Sequence, residues 1–161
     1  MNKKIGSKVS GAAVESLLRE RLPFFRGLNA EQVALQQAYF SVRQVAVGEE
    51  LWREGDAGEY LAFVLSGCMQ LKKDTEFGGK PVVVGVFSGG AVIGELSFSR
   101  NDVRVVTASA LEDCQVAVLT RSGFDALVQD HPALGVKLLE TVLQATCKRL
   151  EKSYERLAAI F

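Results

Sequence analysis

The sequence predicts a mainly β fold with flanking helices: a double-stranded β-helix (jelly roll) preceded by N-terminal helices and closed by a long C-terminal helix. Two observations carry this prediction. Between about residues 41 and 120 the chain breaks into short runs rich in Val, Phe and Leu, punctuated by Gly48, Gly55, Gly58, Gly67, Gly78, Gly79, Gly85, Gly89, Gly90 and Gly94. On both sides of that region the apolar residues recur at helical spacing instead.

Taken in order, Val14, Leu17, Leu18 and Leu22 fall at helical spacing and Pro23 closes the stretch. Residues 29 to 40 repeat the pattern, with Asn29 as N-cap and Val33, Leu35 and Phe40 as apolar contacts. Eight strands are expected at 41–47, 51–52, 60–66, 68–73, 80–87, 91–93, 104–110 and 115–120, the number usual for a jelly roll. Phe77-Gly78-Gly79 reads as the hairpin turn between the fourth and fifth. At Thr120 alternation stops. Thr120 or Ser122 caps a short helix through Val128, and the Asp130-His131-Pro132 turn ends it.

A long helix is expected from Ala133 to about Ala159. Within it Val136, Leu139, Leu143, Thr146, Leu150, Ser153, Leu157 and Ile160 step by threes and fours, the seam spacing of a coiled coil. Leu138, Val142 and Ala145 line a second face. One stripe then packs on the barrel and the other meets a partner helix, so a homodimer through residues 136–160 is expected. The alternative is a monomer whose helix covers its own barrel. Thr146 and Ser153 place hydroxyls in the seam, and each needs a partner or water.

Composition excludes several functions. Nineteen basic and nineteen acidic side chains cancel over 161 residues, so the overall charge of a phosphate-gripping nucleic-acid binder is missing. No apolar run approaches a membrane span, and the basic start is followed by no apolar signal core, which leaves the cytoplasm as the expected compartment. Cys68, Cys114 and Cys147 contain no C-x-x-C pair and read as buried free thiols. The single histidine, His131, sits in a turn, so neither a histidine-based catalyst nor a metal cluster of the kind found in enzymatic jelly rolls is expected. No Ser-His-Asp, H-E-x-x-H or Walker pattern appears, and the chain is read as no enzyme.

Two stretches carry a more specific signal. The first is Gly48-Glu49-Glu50-Leu51-Trp52-Arg53-Glu54-Gly55-Asp56-Ala57-Gly58-Glu59-Tyr60-Leu61-Ala62-Phe63-Val64-Leu65-Ser66-Gly67, whose glycines suit tight corners between strands. The second is Gly94-Glu95-Leu96-Ser97-Phe98-Ser99-Arg100-Asn101-Asp102-Val103-Arg104-Val105-Val106-Thr107-Ala108. Its glycine allows close backbone approach, the turn after it presents amide N–H groups to an anion, and an arginine can grip phosphate oxygens as a fork. Glu95 can accept a hydrogen bond from a ribose hydroxyl.

The first stretch, together with the leading Leu22-Pro23-Phe24-Phe25-Arg26-Gly27-Leu28, resembles the cyclic nucleotide-binding domain family, as found in catabolite activator proteins and protein kinase A regulatory subunits. The resemblance covers about residues 22 to 155. It implies that Glu95 binds the ribose and Arg104 the cyclic phosphate, within a ligand site made of Gly94, Glu95, Leu96, Ser97, Arg104, Val105 and Val106. A purine is expected to rest against Leu65 and Val84 and to be covered by the long helix near Thr146 or Lys148-Arg149. Cyclic AMP is favoured over cyclic GMP because no Ser or Thr directly follows Arg104.

The family usually has proline before this arginine and small residues after it, where this chain has Val103, Val105 and Val106. Branched apolar side chains narrow the cradle. The alternative is therefore a degenerate scaffold for protein–protein interaction, with Arg104 paired to Glu95 or Asp102, or the sensor part of a truncated transcription regulator. Too few residues follow the long helix for a helix-turn-helix, so no direct contact with nucleic acid is expected. Residues 1–40 contain no cysteine, which excludes the iron–sulfur branch. The expected division is an N-terminal helical extension over 1–21, a ligand-binding roll over 22–132, and a helix over 133–161 that reports to an unknown downstream protein.

Overall fold

The computed structural model describes residues 16, 18–75 and 79–160. Eight strands form two four-stranded sheets: β1 (Phe40–Val45), β2 (Glu50–Trp52), β3 (Tyr60–Ser66), β4 (Cys68–Lys73), β5 (Val82–Ser88), β6 (Val92–Ile93), β7 (Thr107–Ala110) and β8 (Cys114–Thr120). One sheet has the order β1-β8-β3-β6 and the other β2-β7-β4-β5, with every neighbouring pair antiparallel. The helices are α1 (Pro23–Arg26), α2 (Ala30–Gln37), α3 (Glu95–Arg100), α4 (Arg121–Asp130) and α5 (Pro132–Ala158). This is the expected two-sheet roll with flanking helices and a long C-terminal helix.

Alternation along β3 explains how one strand serves two cores. Leu61, Phe63 and Leu65 point to the helical side, where they meet Leu18, Leu22, Phe24, Phe25, Leu127, Leu134 and Leu138. Ala62 and Val64 point into the roll, against Trp52, Met69, Leu71, Ile93 and Ala108. Five successive residues of β3 are therefore buried although the side-chain period of a strand is two. On the helical side, α5 buries Leu134, Gly135 and Leu138, and Val142 and Ala145 pack on the same core.

Several expectations change. Residues 18–21 are helical, while Val14, Leu17, Phe77 and Gly78 lie outside the described residues. Asn29 does cap α2: its Oδ1 accepts from the Gln32 N–H at 2.8 Å, and Gln32 Oε1 accepts from the Asn29 N–H at 3.0 Å. Leu35, however, faces outward, and Phe40 opens β1 rather than closing the helix. Thr120, not Ser122, caps α4 by accepting from the Gly123 N–H. Of the three thiols only Cys114 is buried; Cys68 is half-buried and Cys147 exposed.

The largest departures fall together. The seventh strand begins at Thr107, because the Arg104 N–H donates to Asp56 O at 2.7 Å and Arg104 O accepts from the Gly55 N–H at 2.8 Å, pulling residues 104–106 out of the ladder. The short turn expected after Gly94 is the helix α3.

Candidate functional site

Gly94 ends β6 and caps α3 in a left-handed conformation, φ 89°. A residue with a side chain is strained there, and a Cβ would stand 2.5 Å from Arg104 Nη1 and 3.2 Å from the Trp52 ring. That absence of a Cβ lets the arginine of one loop lie against the helix start of another. The first N–H groups of α3 have no acceptor within the helix, so they and the guanidinium offer donors at one place.

Arg104 points inward and is 1% exposed. Its Nη2 donates to Tyr60 O at 2.7 Å, and its Nη1 to Ser97 Oγ at 3.0 Å and Gly94 O at 3.2 Å. The guanidinium carbon lies 3.9 Å from the Trp52 ring centroid and 4.5 Å from that of Tyr60, within cation–π range of both. Trp52 Nε1 donates to Val106 O at 2.9 Å, fixing the segment that follows the arginine, and the Tyr60 hydroxyl donates to Leu51 O in β2. Burial pushes the Arg104 pKa down from the ordinary arginine value, yet arginine keeps its charge in proteins. Its Nε has no partner.

The ion pair weighed for Arg104 in the sequence does not form. Asp102 pairs with Arg100 at 2.5 Å, and Glu95 pairs with Arg149 of α5 at 2.6 Å. Among the described residues no carboxylate is paired with Arg104. Arg149 also donates to Val92 O and stacks 4.4 Å from the Phe87 ring centroid, so one side chain ties α5 to β5, β6 and α3.

Gly94, Glu95, Leu96, Ser97, Arg104, Val105 and Val106 line one cavity, with Trp52 and Leu71 as its further walls. The three remaining residues do not reach it. Leu65 sits on the helical face of β3, one residue out of phase with Val64, which faces the roll. Val84 falls at the irregularity of the β4–β5 ladder, between Val83, opposite Lys72, and Gly85, opposite Leu71, and is 43% exposed. Thr146 donates its hydroxyl to Val142 O and lines a different, apolar groove with Leu96, Ser99, Val136, Leu139 and Leu143. Lys148 likewise faces a separate cleft, so of the helix residues named for the base only Arg149 meets the site. Sequence reasoning missed Trp52 and Tyr60; a lone tryptophan and a tyrosine flanking a glycine-rich corner were the available signal for the partners of a buried cation.

The cavity measures about 40 Å³, room for a few waters and far below the several hundred Å³ of a typical ligand pocket. Among the described residues no group of three or more His, Cys, Asp or Glu side chains is placed to hold a metal, and no helix is long and apolar enough to cross a membrane.

Comparison with known proteins agrees with this fold. Residues 42–131 match the family model described as the cyclic nucleotide-binding domain. The chain is 32% identical over 116 residues to the cyclic AMP receptor protein of Thermus thermophilus, covering 72% of this chain and 53% of that one. It is 31% identical over 101 residues to the lysophospholipase nte1 of Aspergillus fumigatus, covering 63% of this chain but 7% of the enzyme. The chain thus spans about half of the first relative and a small part of the second. Among solved structures, a cyclic nucleotide-binding domain from Methylobacillus flagellatus superposes with a TM-score of 0.80 at 27% identity, covering 93% of this chain and 83% of that one. The Thermus thermophilus catabolite activator protein gives 0.69 at 29% identity, covering 86% and 62%. A two-sheet roll with its arginine turned inward beneath a glycine-capped helix, matched by the family model over most of the roll, places this chain in the cyclic nucleotide-binding domain family.

Proposed function

We propose that the chain is a cytoplasmic sensor of a cyclic nucleotide, cyclic AMP in preference to cyclic GMP, with no catalytic step of its own. The observation that carries this reading is Arg104: a buried guanidinium facing only neutral acceptors, with Nε unpartnered. A buried cation whose hydrogen-bond acceptors are all neutral is costly even with the Asp56 and Glu95 carboxylates acting on it through space, and an arriving phosphate would offset that cost through a charge-assisted fork. Glu95 would take the ribose hydroxyl. The unit that binds would be 22–132, and 133–161 would report.

Admission of a nucleotide requires the cavity to widen, and Arg149 is what holds its rim to α5. A ligand hydroxyl competing for Glu95 would loosen that clasp, so ligand and helix position become linked through their differential affinity. The second reading, a ligand-free scaffold for protein interaction, is favoured by the small cavity and by Val105 and Val106 on its wall. Calorimetric titration with cyclic AMP and cyclic GMP separates the two. Micromolar binding of cyclic AMP, weaker for cyclic GMP, is the expected result; no heat from either supports the scaffold.

The reporting helix suits a homodimer. Val136, Leu139, Leu143, Leu150 and Leu157 are all exposed along one stripe of α5, while Ile160, expected in the same stripe, is exposed in the turn that follows the helix. Thr146 and Ser153, the polar members of that stripe, donate to Val142 O and Arg149 O one turn back, so neither hydroxyl is left unsatisfied. The double variant Leu143→Asp, Leu150→Asp should sediment as a monomer where the parent sediments as a dimer. A monomeric parent would remove the seam from the proposal.

A further inference from the structure

A second cleft, of about 230 Å³, opens on the helical side of the roll between α5 and the segment leading into α1. Its floor is apolar: Leu22, Phe24, Phe63 and Val92 are each at most 3% exposed, with Ala145 beside them. Its rim is polar and cationic. Thr141, Gln144 and Lys148 stand on α5, and Arg21 lies nearby, its Cδ 4.0 Å from where a Cβ on Gly89 would be, next to the rim residue Gly90. No carboxylate is among the lining residues.

An apolar floor beneath a polar rim that carries a cation and no carboxylate fits one chemical class. We propose that this cleft binds a small amphipathic carboxylate, its tail against Phe63 and Val92 and its carboxylate at Lys148. At roughly 30 Å³ per water-sized group, the space takes about seven or eight such groups, enough for the seven-carbon tail of octanoate with its carboxylate at the rim. The site is separate from the Arg104 cavity but shares structure with it. Lys148 precedes Arg149 on α5, and Val92 contributes its side chain to this floor and its carbonyl to Arg149. Occupancy of the cleft therefore acts on the same helix that clasps Glu95, and any effect of one ligand on the other is reciprocal.

Calorimetric titration of the full chain with octanoate tests the proposal without a nucleotide present. Octanoate should bind, with 1-octanol and the Lys148→Glu variant at least about fivefold weaker, as expected for loss of a partly desolvated charge contact. Ala145→Phe, which fills the cleft, should abolish the heat while leaving the far-ultraviolet circular dichroism of the folded chain unchanged. No heat with octanoate, equal affinity for octanol, or indifference to Lys148→Glu would overturn it. Because this titration involves no nucleotide, its outcome is independent of whether cyclic AMP binds at Arg104.

Discussion

Arg104→Ala should abolish cyclic AMP binding and lower the unfolding free energy by about 2–4 kcal/mol. The stability loss has two sources. Tyr60 O and Ser97 Oγ lose the Arg104 donor, while Gly94 O keeps the Phe98 N–H, and a buried acceptor left unpaired costs about 1–3 kcal/mol where water cannot reach it. The faces of Trp52 and Tyr60 then border a void in place of a planar cation. Relief from a desolvated, unpaired charge offsets part of this, which keeps the net figure well below the sum. For a chain of this length each kcal/mol moves Tm by about 2–4 °C, so a fall of roughly 5–15 °C is expected. Equilibrium unfolding followed at Trp52 checks the stability and calorimetry the binding. Arg104→Lys separates them: it keeps the charge, loses the fork, and should weaken cyclic AMP at least about tenfold with a smaller loss of stability. Unchanged affinity in Arg104→Lys would remove the guanidinium from the ligand site.

Gly94→Ala comes next in size, at about 2–4 kcal/mol. A left-handed residue with a side chain costs roughly 1–2 kcal/mol on its own. The remainder is the collision of the new Cβ with Arg104 Nη1 at 2.5 Å, closed from behind by the Trp52 ring at 3.2 Å and Tyr60 O at 3.3 Å. Gly48→Ala isolates the first contribution, because Gly48 has φ 78° and nothing within 4 Å of where a Cβ would stand. Denaturant unfolding should place Gly94→Ala at least about 1 kcal/mol below Gly48→Ala, with nucleotide affinity reduced only in the former. Equal losses would mean that Gly94 is needed for its backbone alone.

The roll was legible because its signals are local. Short apolar runs between glycines mark β3, β4 and β8 to within a residue or so, and the Thr120 and Asn29 caps are written in neighbouring residues. The core of the site was legible for the same reason: Gly94, Glu95, Leu96, Ser97 and Arg104 to Val106 are close in sequence and line one cavity. What failed depends on long-range placement. Whether Leu65 or Val64 faces the roll turns on a one-residue phase that two buried faces conceal, since both are fully apolar. Val84 is displaced by an irregularity that no composition signals. The partner of Glu95 lies 54 residues away on a helix whose rotation about the roll is set by Leu134 and Leu138, so the choice of Arg149 over Thr146 or Lys148 was not readable from spacing. The extent of β7 was misjudged because the chain at 104–106 is held by the Gly55–Asp56 corner rather than by a neighbouring strand.

The two-faced character of β3 makes the architecture modular along a single strand. Side chains at 61, 63 and 65 could be redesigned to alter how the helices dock, while those at 62 and 64 remain as the wall of the roll. A one-residue deletion within it would exchange the two sets at a stroke, turning small alanine toward the helices and bulky phenylalanine inward, so length here is constrained more tightly than identity.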